Sequence, residues 1–167
     1  MFIRRTLCSP FLNDACQSAS SYLFFVFYPF WTVKKQGKAK KKTPDPEEAK
    51  SLFERARQRL GYTNDKTITD RTAPFVLEDA YEVMRESAQS LMSIQGFKPY
   101  SHEATVSFVK DYYNKDFSEE EIRKFDKFRQ LRNNSVYRAE PVTQNDAKEC
   151  LKLSQVFVKK IKNILMK

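Results

Sequence analysis

The sequence predicts an all-α protein, an antiparallel bundle of about five helices over residues 45–167 behind a basic tail over residues 1–44. Glycine occurs 3 times and proline 7 times in 167 residues, too few for the many tight turns of a sandwich or barrel, while Lys, Arg, Glu, Leu and Gln are plentiful. Hydrophobic residues at 41% and aromatics at 14% supply a core, so disorder throughout is excluded even with 31% charged residues. Apolar positions recur every three or four residues between helix-start and helix-stop signals. The length fits one domain.

Asp45, Pro46 and Glu48 open the first helix: an N-cap, a proline where no helical amide bond is lost, and an acid at the capping-box position. It runs through AKSLFERARQRL and is expected to stop at Gly61, the residue type suited to a left-handed turn. A polar loop, YTNDKTITDRT, follows. Pro74 opens the second helix, whose Leu77, Tyr81, Met84, Ala88, Leu91 and Gln95 form the longest apolar stripe and read as bundle core; Gly96 closes it. Ser101 caps the third helix, HEATVSFVKDYY, which ends near Asn114. Ser118 and Glu121 form a full capping box for the fourth, EEIRKFDKFRQLRNN, with acids at its start and bases toward its end, the polarity that the helix dipole favours. Thr143 caps the fifth, where Ala147, Leu151, Ser154, Phe157 or Val158, Ile161 and Leu165 carry the buried face.

Ahead of these helices, residues 22–33 (YLFFVFYPFWTV) are the most apolar run in the chain. As a helix it would span about 18 Å against the roughly 30 Å of a bilayer core, so a membrane span is not expected. The polar residues before it, and KKQGKAKKK after it without a small-residue cleavage site, also disfavour a secretory signal. A shallow interfacial anchor, aromatics followed by a basic block, is one alternative. The other is that the residues before Val33 are not part of the native product, translation starting at Val33 through a GTG codon. In either case residues 34–44 read as a flexible basic linker, since lysines repel and Gly37 and Pro44 oppose regular structure.

Charge is distributed unevenly within the net +9: residues 122–167 hold 12 Lys+Arg against 4 Asp+Glu, and residues 47–121 hold 10 against 15. A basic segment of that kind attracts phosphate, nucleic acid included. Cys8, Cys16 and Cys150 form no CxxC pair, and with the single His102 they make no zinc set or disulfide framework, so no metal is expected and a reducing cytoplasm is the default. There is no Gly-rich phosphate loop, GxSxG elbow or HExxH helix, which removes the common NTPase, hydrolase and metalloprotease readings, and no cofactor is called for.

The stretch LRNNSVYRAEPVTQNDAKECLKLSQVFVKKIKNIL is the most specific. It resembles the carboxy-terminal half of a HEPN domain, a helical module of prokaryotic toxin–antitoxin systems and RNA-processing proteins whose hallmark is Arg, usually Asn, three residues, then His. The likeness extends back through FVLEDAYEVMRESAQSLMSIQGFKPYSHEATVSFV and covers roughly residues 45–166. The resemblance implies that the motif lies where the fourth helix gives way to a loop, that two protomers pair so both motifs line one cleft, and that RNA is cleaved without metal. A base would then take the ribose 2′-hydroxyl proton while a fixed guanidinium neutralises the phosphate. By position Arg132 matches the family arginine, Asn133 the polar residue, and Tyr137 stands in the histidine's place.

That last position departs from the pattern. Tyrosine as a residue type has a pKa of about 10 against about 6.5 for histidine, which puts it about 4 kcal/mol behind as a base at neutral pH. A tyrosine still donates to phosphate or stacks on a base, so binding is favoured over cleavage. His102, beside the cap of the third helix, is the other neutral-pH titrating group, and a structural role is the simpler reading for it. A purely structural role also competes for the motif itself: Arg132 bonding carbonyls at a helix end, Asn133 or Asn134 in a left-handed cap, Tyr137 packed beneath the loop. Three functions follow from the resemblance. The first is a homodimeric module binding RNA or a nucleotide-bearing partner through Arg132 and Tyr137 with Lys127, Arg129 and Arg138. The second is an active metal-independent endoribonuclease toxin. The third is the partner of a small nucleotidyltransferase, although Ala139 stands where some relatives carry the modified tyrosine. The RNA readings require the Arg132 guanidinium at the bundle's rim, open to a groove; an inward group neutralised by a carboxylate argues against them.

Overall fold

The computed structural model describes residues 28–166. Chain order is α1 (Phe30–Lys35), β1 (Ala39–Lys41), α2 (Pro46–Asn64), α3 (Ala73–Ile94), β2 (Phe97–Pro99), α4 (His102–Tyr112), α5 (Glu119–Arg138) and α6 (Gln144–Leu165). The fold is all-α, an antiparallel bundle with one minor two-stranded ribbon, as the composition and capping signals predict. Asp45, Ser101, Ser118 and Thr143 each accept an amide of the first turn of the helix they precede, and Ser118 with Glu121 completes the capping box.

Helix α3 forms the axis. Leu77, Ala80, Tyr81, Met84, Ala88 and Leu91 are buried along it, and α2 and α6 cover it from two sides. Phe125 of α5 reaches Phe157 of α6 at 4.9 Å between ring centroids and Tyr81 at 5.8 Å, which joins the three helices through aromatic contacts.

Two helices run past their expected ends. Helix α2 continues through Gly61 to Asn64, because Thr63 is buried and its hydroxyl donates to the Arg59 carbonyl at 2.7 Å, so the last turn is held by its own packing. Helix α5 continues past Asn134 to Arg138. Its left-handed cap is Ala139 at φ 54°, not Asn133 or Asn134, and the Ala139 amide bonds the Asn134 carbonyl. SVYR contains no helix breaker, and the constraint that ends the helix is Pro141, which disfavours α conformation in the residue before it.

The largest departure is at the amino-terminal side. Residues 34–44, expected as a flexible linker, are built into the fold. Phe30 and Val33 are buried, and the Phe30 ring meets Phe97, Phe108 and Tyr112 at 5.2, 5.3 and 5.7 Å, mostly edge-on. Its amide donates to Asp111 Oδ2 at 2.7 Å. Strand β1 then pairs antiparallel with β2, Ala39 opposite Pro99 and Lys41 opposite Phe97. Lysine repulsion does not prevail because the buried Val33 and Ala39 alternate with the charges and two of the lysines are paired, Lys38 with Glu103 at 2.6 Å and Lys42 with Glu48. Gly96, at φ 73°, makes the turn into β2, where a Cβ would sit 2.6 Å from the Lys42 carbonyl oxygen. The expectations for residues 1–27 lie outside the described residues. Among those described, no helix is long and apolar enough to cross a membrane.

Candidate functional site

The motif residues lie on the last two turns of α5, against the first half of α3 and the start of α4. Arg132 is fully helical and points at α3, because positions 125, 128 and 132 share the face that Phe125 and Phe128 bury. Its Nη2 lies 3.1 Å from Glu78 Oε1 and 3.8 Å from Glu82 Oε1, and its side chain is 14% exposed. Its Nε is buried with no hydrogen-bond partner. Burial alone would lower the arginine's pKa, but contact with Tyr137 and the charges of Glu78 and Glu82 outweigh it and raise it, so the guanidinium stays charged.

The open basic rim expected from sequence is not there. Arg132 turns inward onto carboxylates. Arg129 Nε donates to Asp126 Oδ1 at 2.6 Å, and Lys127 Nζ is 3.3 Å from Asp146 Oδ1 and 3.8 Å from Glu149 Oε2. Each of these cations lies within one helical turn, or one helix–helix contact, of an acid that the charge tally averaged out. Arg138 alone of the four flanking and motif cations is exposed without an ion pair among the described residues. Asn133 is half-buried on the helix and not in a cap. Tyr137 is not packed beneath the loop: it is 76% exposed, with its ring centroid 6.0 Å from the Arg132 guanidinium carbon.

The structure also gathers residues that sequence reading left apart. Glu78, Glu82 and Arg85 fall four and three residues apart on α3, one face of the helix, and Arg85 Nε donates to Glu82 Oε2 at 2.6 Å. Beneath them the buried Tyr81 stacks on His102 at 5.6 Å, with its hydroxyl 3.1 Å from His102 Nδ1. Burial pushes the His102 pKa down, Arg85, Arg132 and Arg129 push the same way, and Glu82 opposes them. Burial pushes the Tyr81 phenol up, so it stays protonated. His102 thus stands in the field of Arg132 although 30 residues separate them in sequence. The only sequence signal for this cluster was the charged i, i+4, i+7 series of Glu78, Glu82 and Arg85 along one face of α3, beside its apolar stripe. Three guanidiniums, of Arg85, Arg129 and Arg132, face three carboxylates, of Glu78, Glu82 and Asp126, and their formal charges cancel. Among the described residues no group of three or more His, Cys, Asp and Glu is placed to hold a metal ion.

A helical bundle whose α5 ends in an Arg-Asn pair, the arginine turned inward, followed by an exposed tyrosine defines the class: a small α-helical module that carries its signature at the end of that helix. A family model for the HEPN domain matches residues 49–164, and the chain belongs to the HEPN family. No curated protein matches it. At the family level, membership supports a nucleotide- or RNA-related or ribonuclease-family role, and the family is associated with RNA and with dimerisation.

Proposed function

We propose that the protein is a degenerate member of the HEPN ribonuclease family that binds RNA, or a nucleotide-bearing partner, without cleaving it. The observation that carries this is the exposure of Tyr137, which stands in the place of the family histidine and is 76% exposed; Arg132, turned inward onto Glu78, counts against the reading unless Glu78 is displaced. An exposed phenol can stack on an unpaired base and donate to phosphate. The Arg132 guanidinium reaches a phosphate by exchanging Glu78, whose 38% exposure leaves its ion pair open to water and to a competing anion. Arg138, one residue on, supplies a cation already exposed.

Pairing of two copies belongs to the same reading. The Glu78–Arg132 and Tyr81–Phe125 contacts together show α3 and α5 antiparallel, so Phe75, one turn before Glu78, falls toward the end of the bundle where Val136 and Tyr137 finish α5. Phe75 is 67% exposed and Val136 45%, which leaves apolar surface at that end for a second copy.

Fluorescence anisotropy of a labelled stem-loop RNA against the full chain, over a salt series, tests the proposal. Affinity should fall as salt rises and fall several-fold in Tyr137→Ala, a surface change that leaves the fold intact. Affinity indifferent to salt, or equal in Tyr137→Ala and wild type, contradicts it.

A further inference from the structure

The ribbon and α1 carry an arrangement of charge that the fold does not need. Lys40 of β1 stands directly opposite Lys98 of β2, and both are exposed. Like charges directly across an antiparallel pair repel and weaken a ribbon that has only two strands. Lys34 and Lys35 of α1 add to the same substructure, and none of these four lysines has an ion pair among the described residues, whereas Lys38 and Lys42 beside them are paired; Lys41, opposite Phe97, projects from the other side of the ribbon. Glu48 feels Lys98 at longer range but is already bonded by Lys42 and Ser93. The fold therefore holds four cations without an ion pair in one substructure, and a polyanion would relieve them.

Aromatic side chains stand among them. Trp31 and Tyr100 are 59% and 58% exposed, and each lies beside a free lysine: Lys35 Nζ is 5.0 Å from the Trp31 ring centroid and Lys98 Nζ 5.9 Å from that of Tyr100. Tyr100 is carried in place by its amide, which bonds the Lys38 carbonyl at 2.8 Å, so the ring is an extension of the ribbon and not part of a free loop. Flat rings interleaved with cations suit bases and phosphates in alternation, and they require bases that are unstacked. A membrane surface also attracts lysines and aromatics, but among the described apolar residues of this segment Phe30 and Val33 are buried in the core, which leaves Tyr28 and Trp31 alone to enter lipid.

We propose that the face formed by α1, β1 and β2 binds single-stranded nucleic acid, with phosphates on Lys40 and Lys98 and bases stacked on Trp31 and Tyr100. This surface is separate from the Arg132–Tyr137 rim, although Tyr100, two residues before His102, ends next to it. A strand laid across the ribbon leads toward the rim.

Trp31 is the only tryptophan, so its emission reports on this face alone. A 12-nucleotide oligouridine titrated into the full chain should quench Trp31 emission. Four neutralised lysines give a log–log salt dependence with a slope of about −2.8 for a single strand, and Lys40→Gln/Lys98→Gln should reduce its magnitude by about 1.4 and weaken binding at least tenfold at low salt. The same double variant should melt no lower than wild type, since it removes a repulsion. The stem-loop affinity lost in Tyr137→Ala is read separately by anisotropy, which separates failure here from failure at the rim. Unchanged affinity and slope in the lysine variant, or no quenching by the oligonucleotide, overturns the proposal. Quenching by phosphatidylserine vesicles with none by oligouridine overturns it in favour of a membrane surface.

Discussion

Replacing Glu78 by glutamine frees Arg132 without changing shape, and the structure sets the size of the effect. The Arg132–Glu78 contact is one charged hydrogen bond at 3.1 Å between a nearly buried guanidinium and a carboxylate that is 38% exposed. A hydrogen bond to a charged group is worth roughly 1.5–3 kcal/mol, and solvent screening of the exposed carboxylate reduces it to about 1 kcal/mol. Glu82 Oε1, at 3.8 Å, remains close enough to keep Arg132 in place, so Glu78→Gln should unfold at slightly lower urea and keep its fold. In the proposed function a phosphate must first displace Glu78. Removing that competitor should tighten RNA binding about fivefold, the equivalent of about 1 kcal/mol. Anisotropy titrations of wild type and Glu78→Gln at one fixed salt concentration measure this directly. If affinity is unchanged or weaker in the variant, phosphate does not reach Arg132 and the guanidinium is a structural group of the α3–α5 contact.

Phe30→Ala should destabilise the chain by about 3 kcal/mol, the low end for deleting a buried phenylalanine, and lower the thermal midpoint by about 10 °C. A calorimetric midpoint within two degrees of wild type would mean that α1 is not part of the core. His102 supplies a pH dependence. Its folded pKa is depressed, so the unfolded chain takes up the proton first and stability is lost as pH falls below about 6.5. Urea midpoints should fall between pH 7.5 and 5.5, and His102→Gln, which cannot titrate, should flatten that slope; equal slopes in both proteins would contradict the placement of His102 among Arg85, Arg129 and Arg132.

Capping residues and apolar periodicity made the long helices legible, because those signals act within one or two turns. Ser118 with Glu121, Thr143 and Ser101 mark the starts of α5, α6 and α4 in sequence and cap them in the structure. The ends were less legible where tertiary packing overrides a local signal. Gly61 is a good stop residue, yet buried Thr63 draws α2 onward, and Asn134 is a good cap, yet nothing breaks the helix before Ala139. Residues 34–44 looked like a linker because the alternation of Val33 and Ala39 with lysines is too short to register, and strand β1 exists only through its pairing with β2, more than fifty residues away in the chain.

The family motif was readable at Arg132, Asn133 and Tyr137, but its electrostatic state was not. Local sequence charge gave a segment of strong positive excess, whereas the partners that neutralise it, Glu78 and Glu82, come from the acidic middle of the chain. For the same reason His102 looked isolated: its contacts with Tyr81 and its exposure to the three arginines arise only when α4 docks on α3 and α5.

Binding without cleavage is tested most directly by incubating the full wild-type chain with a structured RNA in EDTA, at a concentration where anisotropy has already established the complex, and resolving the products. The RNA should be bound and recovered at full length. Fragments ending in 2′,3′-cyclic phosphate, formed by wild type and lost in Arg132→Ala, would make the protein an active nuclease and contradict the assignment of Tyr137 as a binding residue in the place of a catalytic histidine.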